Sequence, residues 1–192
     1  MTLARLWHSF CLCFQRGGRA RADYIRRKHL YGAMGTGCSI VKRKIPLYAN
    51  LIRIGNNVHI ASNVSFLTHD VTHRLLNQLD PEHPVREHVG CIEVGNNVFI
   101  GSGVHILNNT KIGSNVIIGT CSIVTRDIPD NSVIAGVPAR VIGRFDDFVA
   151  KMRIEPYPAE LEPKAQEASP ELAAFLWAKF DREHAAKKEG AR

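Results

Sequence analysis

From Val94 to Val124 an aliphatic residue recurs at every sixth position: Val94, Ile100, Ile106, Ile112, Ile118 and Val124. Gly95, Gly101, Leu107, Gly113, Gly119 and Thr125 follow them. Four positions after each of the first five comes Val98, Val104, Thr110, Val116 or Ser122, all small or β-branched. The same register precedes this block at Ile54, Ile60 and Phe66, with Val58 and Val64, and extends back more weakly through Tyr48 with Ile52 and Met34 with Cys38. A helix would place apolar residues three and four apart and a strand would alternate by two, so a period of six matches neither. It is satisfied by a short strand and a sharp corner in each unit, three units closing a triangular coil of roughly 18 residues. The first and fifth positions then point inward and stack on their equivalents at about 4.8 Å. Gly and Asn in "IGNN" and "IGSN" are expected to supply positive φ at the corners. The predicted fold is an all-β solenoid, a parallel β-helix.

The period breaks within "SFLTHDVTHRLLNQLD" and resumes about two dozen residues later. An excursion from Asp70 to about Gly90 is too long for a simple connection. A short helix is expected around "HRLLNQL", with Leu75, Leu76 and Leu79 packing down, and the polar residues around it suit a hydroxyl-rich ligand. Outside the repeat, residues 1–33 form a basic N-terminal helical arm and residues 34–144 the β-helix. Residues 145–192 hold a Pro-containing linker and a helix with Ser169 as N-cap and an apolar stripe of Leu172, Phe175, Leu176 and Phe180. That helix could cap the last strand of the coil or mediate subunit contacts.

Composition narrows the function classes. The 192 residues suit one domain with short extensions, and aromatic content is only 7%. The net charge of +7 is concentrated at one end: residues 1–44 hold ten Lys or Arg and one acid, Asp23. Basic and aromatic residues are not interleaved over a repeated face, which argues against a nucleic-acid module. Cys11, Cys13, Cys38, Cys91 and Cys121 lack CxxC spacing and suit reduced, mostly buried thiols of a cytoplasmic protein. "LWHSFCLCF" is too short and polar to span a bilayer. It is expected to be an amphipathic helix packed on the domain, with contact to an anionic membrane surface as the alternative.

"VGNNVFIGSGVHI" and "KIGSNVIIGTCSIVTRDIPDNSVIAGVPARVI" resemble the hexapeptide-repeat acyltransferases, most closely the sugar and maltose O-acetyltransferase branch. The resemblance covers residues 34–144 and implies a left-handed coil, a homotrimer with active sites between subunits, and acetyl-CoA as acyl donor, with no metal required. Flat faces carrying Val98, Phe99, Val116 and Ile117 are expected to meet the donor. His69 stands where the branch carries its catalytic histidine. Acyl transfer from a thioester to a hydroxyl needs a base that works near neutral pH, as imidazole does, and a thioester leaves readily enough that no covalent enzyme intermediate is required.

For the donor, the resemblance carries over Ser102, Thr120, Thr125, Arg126 and Arg140. Gly143 stands where relatives can have a further Arg, with Arg144 next to it. Asp70 follows His69 where the family often has Pro, which bears on the acceptor; Asp70, His73 and Arg74 are candidate acceptor-binding residues, and Asp70 could also orient the imidazole. The expected activity is O-acetylation of a sugar, glycan precursor or similar polyhydroxylated molecule, or alternatively of an antibiotic. Rival classes on the same coil are a zinc hydratase of the γ-carbonic anhydrase type, suggested by "HDVTH", and a non-catalytic scaffold. The coils from Lys111 to Val141 contain no histidine, which weighs against the hydratase.

Overall fold

The computed structural model describes residues 3–163 and 167–189, with side chains up to residue 185. The outermost residues of both terminal segments, 1–2 and 190–192, lie outside the described residues. The chain divides into two units, residues 1–148 and 149–192.

In the first unit, helices α1 (Leu3–Cys13) and α2 (Gly17–Arg27) precede a stack of short strands. These are β1 (Ala33–Met34), β2 (Ser39–Ile40), β3 (Ile52–Ile54), β4 (Val58–Ile60), β5 (Ser65–Leu67), β6 (Ile92–Val94), β7 (Val98–Ile100), β8 (His105–Leu107), β9 (Thr110–Ile112), β10 (Val116–Ile118) and β11 (Ile123–Val124). A closing hairpin, β12 (Ser132–Gly136) and β13 (Ala139–Arg144), ends the stack. Three sheets result, ordered β1-β3-β6-β9, β2-β4-β7-β10-β12-β13 and β5-β8-β11. Every neighbouring pair is parallel except β12 with β13. From β1 to β12 consecutive strands lie in different sheets and return to the same sheet one coil later, which is a β-helix.

Register follows the period of six. Val98 pairs with Val116 and Ile100 with Ile118, while Phe66 pairs with Ile106 and Ile106 with Val124. The excursion does not disturb the ladder, because Val58 still pairs with Val98 and Ile60 with Ile100 across it. Val94, Ile100, Ile106, Ile112, Ile118 and Val124 are all fully or almost fully buried, as are Val98, Val104, Thr110, Val116 and Ser122 at the fifth position.

Val98 and Val116 are therefore core rather than donor-facing, and of the four face residues named above Phe99 alone is exposed, at 45%. The lattice also ends earlier than expected on one face: Met34 pairs with Ile54, but Tyr48 leaves the ladder, 40% exposed with φ of 48°.

The corners divide their labour differently from the expected scheme. In "IGNN", "VGNN" and "IGSN" the positive φ belongs to Asn57, Asn97 and Asn115, and the equivalent Asn131 shares it, at 53°, 55°, 56° and 55°. Their amides form a continuous ladder, with Nδ2 of each donating to Oδ1 of the next at 2.9–3.0 Å. Asparagine tolerates this region because its short polar side chain finds local partners. The glycines serve close stacking instead: a Cβ on Gly95 would come within 2.7 Å of the Gly113 backbone.

Both ends of the coil are covered from within the first unit. Arg21 of α2 is buried, and its Nε donates to the Ile40 carbonyl at the edge of the first coil at 2.8 Å. At the far end β13 folds back on β12, so that β12 is paired by the hairpin. Helix α1 packs through Leu12, through His8 Nδ1 against the Tyr24 hydroxyl at 2.9 Å, and through Ser9 Oγ, which accepts from the Ile45 amide. Its other side leaves Leu3, Trp7, Phe10 and Phe14 exposed.

The thiols are not mostly buried: Cys38 is, whereas Cys13, Cys91 and Cys121 are exposed. These three fall outside the inward first and fifth positions of the repeat.

Helix α3 (Thr72–Leu79) occupies the excursion, and α4 (Phe145–Met152) follows the hairpin. In the second unit α5 (Pro170–Glu189) starts where expected, with Ser169 Oγ accepting from the Leu172 amide at 3.2 Å. Leu172 is buried, while Leu176 and Phe180 are partly exposed.

Candidate active site

His69 sits where the chain leaves β5, and the excursion closes back beside it through an antiparallel bridge between His69 and Val89. The Gly90 amide donates to the Thr68 carbonyl at 2.8 Å, so the loop departs and returns at one corner. The imidazole is half-buried, and the ring of Tyr48 meets it edge-on with centroids 5.2 Å apart. Tyr48 is held in turn by its hydroxyl, which donates to Glu87 at 2.8 Å and tethers the excursion to the first coils. That bond raises the Tyr48 pKa above its ordinary value, because the phenol must stay protonated to donate. The His69 Nδ1 is buried with no hydrogen-bond partner among the described residues.

The sequence offers Glu87 and His88 only as polar residues of the excursion, and gives Tyr48 no place at the site. The one available signal was Tyr48 falling on a weakly repeating stretch. Nothing in the period shows that a residue leaving the lattice will instead contact the histidine twenty-one positions later.

Asp70 does not orient His69. Its carboxylate accepts from the Thr72 amide at 3.0 Å and lies 3.5 Å from His88 Nδ1. Successive side chains of an extended segment point to opposite sides, which separates the two. The Thr72 amide, then the Thr72 hydroxyl and finally His88 hold the Asp70 pKa below its ordinary 3.8. The charged form therefore favours the folded start of α3. That contribution is complete above pH 3.8 and is lost as pH falls through the lower folded value. A titration of the Thr72 amide shift by NMR should show a midpoint below 3.8 that disappears in Asp70→Asn.

His73 and Arg74 lie on α3. His73 Nδ1 is buried without a partner among the described residues. Arg74 is exposed and lies close enough to Tyr48 to oppose its pKa rise. Leu75, Leu76 and Leu79 do not pack down; they are 59%, 44% and 73% exposed, because the helix projects its apolar side away from the coil. Asn77 braces the loop from within, donating to the Val85 carbonyl and accepting from its amide.

The residues expected at the donor fall at three places. Ser102 and Thr120 occupy the same corner on successive coils, ahead of the β5-β8-β11 face, with the Cys121 amide donating to the Ser102 carbonyl. Thr125 and Arg126 follow β11 at the opposite edge of that face, the edge that carries His69 two coils away, roughly 10 Å at the spacing of stacked strands. A strip of surface bounded by these two edges is thus brought together. Arg140 stands apart on β13 in the closing hairpin, and Arg144 pairs with Asp146 at 3.6 Å.

A cavity of 210 Å³ opens beside His69, lined also by Arg5, Lys42, Lys44, Ile45, Pro46 and Leu47. The larger groove of the second unit, 650 Å³ and lined by Tyr157, Phe175 and Lys179 among others, holds none of the candidate residues. Among the described residues no group of three or more His, Cys, Asp or Glu is placed to hold a metal ion. No described helix is long and apolar enough to cross a membrane.

Comparison with known proteins bears on the repeat and the fold. Residues 92–126 match the family described as bacterial transferase hexapeptide (six repeats). Galactoside O-acetyltransferase of Escherichia coli (strain K12) is 46% identical over 98 residues, covering 50% of this chain and 45% of that protein. The chain thus spans about half the length of the relative. A Staphylococcus aureus (strain MRSA252) protein, provisionally named as an acetyltransferase, is 37% identical over 160 residues, covering 72% of this chain and 79% of the relative. Among solved structures, a galactoside acetyltransferase in complex with coenzyme A superposes with a TM-score of 0.55 at 29% identity, covering 81% of this chain and 87% of that one. A maltose O-acetyltransferase from Clostridium difficile 630 gives 0.50 at 28% identity, covering 74% and 87%. With the repeat, its register and a relative matched over most of its length, the chain belongs to the bacterial transferase hexapeptide family.

Proposed function

We propose that this protein is an acetyl-CoA-dependent O-acetyltransferase acting on a hydroxyl of a sugar, glycan precursor or similar polyhydroxylated molecule. The observation that carries this is His69: a half-buried imidazole at the corner where the coil opens, edge-on to Tyr48, with an unpartnered buried nitrogen and a cavity beside it. Relatives named for O-acetylation of galactosides and maltose support the reaction class, and the relative solved with coenzyme A supports the donor.

The coil is proposed to be left-handed, as the resemblance implies. The working unit is a homotrimer in which the donor lies on the β5-β8-β11 strip, against Ser102 and Thr120 at one edge and Thr125 and Arg126 at the other. Arg140 would meet the phosphate or adenine end of CoA from a neighbouring position in the assembly. The excursion, with its exposed leucines, would lie over an adjacent subunit, and Asp70, His73 and Arg74 would face the acceptor.

In the reaction His69 takes the acceptor's hydroxyl proton as the oxygen attacks the thioester carbon. A backbone N–H holds the resulting oxyanion. Collapse of the tetrahedral intermediate breaks the C–S bond, and the departing CoA thiolate takes the proton from the imidazolium. One ester forms, one thioester is lost, and the base is restored.

Release of free CoA thiol, measured across a panel of sugars, oligosaccharides and amines, tests the proposal. Turnover with hydroxyl acceptors is expected. Turnover with amines alone would overturn it.

A further inference from the structure

The cavity beside His69 has an unusual charge. Three of its lining side chains are cations, Arg5 from α1 and Lys42 and Lys44 from the segment after β2, and none is an acid. The acids near the site are otherwise engaged: residues 1–69 contain only Asp23, which pairs with Arg26 at 3.3 Å, Asp70 accepts from the Thr72 amide and lies 3.5 Å from His88, and Glu87 accepts from Tyr48. Neither Arg5 nor Lys44 has an ion-pair partner among the described residues, and the Arg5 Nε is buried with no acceptor. Lys42 Nζ donates to the Val64 carbonyl at 3.0 Å, which holds its ammonium near β5 without removing its charge. Burial, and then the neighbouring Lys44, lower the Lys42 pKa, as expected where like charges converge without a counterion.

Two buried nitrogens without partners, Arg5 Nε and His69 Nδ1, thus belong to residues lining one small space. An unsatisfied buried donor is costly, and the Arg5 Nε, which can only donate, calls for an absent acceptor. At 210 Å³ the space equals that of about seven waters at roughly 30 Å³ each, enough for a sugar ring or a phosphate but not for both wholly enclosed.

We propose that Arg5, Lys42 and Lys44 bind an anionic group on the acceptor, so that the preferred substrate is a sugar carrying a phosphate or a carboxylate close to the hydroxyl that is acetylated. This rests on the O-acetyltransferase function with His69 as base, and it names the acceptor's charge. Arg5 presents a planar fork suited to two oxygens of such a group, and the lysines supply point charges. Buried Ile45 and partly buried Pro46 line the same space, which lowers the polarity beside the cations.

The test compares three probes of similar size, glucose 1-phosphate, glucuronic acid and the neutral methyl glucoside, by calorimetric titration of the full chain with and without saturating CoA. At least one anionic sugar should bind roughly tenfold or more tightly than methyl glucoside, with CoA present as well as without it. That preference should collapse toward unity in the double variant Arg5→Gln/Lys44→Gln, and should shrink as salt rises. Which of the two wins distinguishes phosphate from carboxylate.

Equal binding of all three probes overturns the proposal. So does a double variant that weakens CoA while keeping the preference for anionic sugars, since the cations would then serve the donor. Thiol release measured in parallel separates the two levels of inference. Turnover of neutral sugars without charge preference leaves the O-acetyltransferase function standing and removes this proposal. Anion preference with no turnover by any hydroxyl acceptor keeps the binding site and removes the reaction.

Discussion

His69→Ala should lower the turnover of a hydroxyl acceptor by about 10²–10⁴-fold, the range a positioned general base contributes. CoA affinity should change little, because the donor-contacting residues proposed above lie on the strip rather than on the imidazole. The fold should also survive: His69 is half-buried, outside the inward positions, and makes no side-chain hydrogen bond among the described residues. The measurement is thiol release at saturating acetyl-CoA, paired with a CoA titration and a thermal melt of the same variant. Full activity in a folded His69→Ala protein would remove the histidine from the chemistry. A loss that appears only as weaker CoA binding would move it to the donor site.

The largest effect on stability is expected inside the coil. Ile100 is fully buried and stacks between Ile60 below and Ile118 above, on the sheet that runs the length of the solenoid. Truncation to alanine removes contacts with both neighbours and leaves a cavity that stacked coils cannot easily close. A loss of about 2–5 kcal/mol is expected. Phe99, one position earlier on the same strand, points outward and is 45% exposed, so Phe99→Ala should cost less than about 1 kcal/mol in the isolated chain. Urea unfolding of the two variants reads the contrast directly. Equal losses would contradict the inward and outward alternation that builds the core. A Phe99→Ala loss that grows on dilution would mark its face as a subunit contact.

Much of this was legible in the chain because a solenoid writes its tertiary contacts as a local period. Each residue's partner is the equivalent residue one coil later, so Ile100 and Ile118 could be matched without knowing the fold in space. His69 could be singled out because it stands where that period fails and the family motif supplies a base. The same logic misled at Tyr48, which fits the spacing but leaves the lattice to meet His69; at Val98 and Val116 it held, and the donor face expected from the resemblance did not, because both fill the core. Glycine and asparagine share the positive φ of the corners, at Gly37 and Gly103 as well as along the Asn ladder, whereas the glycines of "IGNN" and "IGSN" are needed for close approach instead.

The excursion shows where periodicity stops informing. Its helix was foreseen, but its leucines face outward, because whether an apolar stripe is buried depends on what stands opposite and not on the stripe. The cationic cavity was likewise invisible: a basic N-terminal segment was plain in the composition, yet Arg5 and Lys44 are distant in sequence and no repeat relates them. By itself the sequence determined the coil, its register on either side of the excursion and the point at His69 where the period breaks, since these depend on neighbours at fixed spacing. Tertiary structure alone decided which side chains meet across that spacing: Tyr48 on His69, Asp70 turned toward Thr72 and His88, and three cations around one small space. These contacts join segments that the period does not connect.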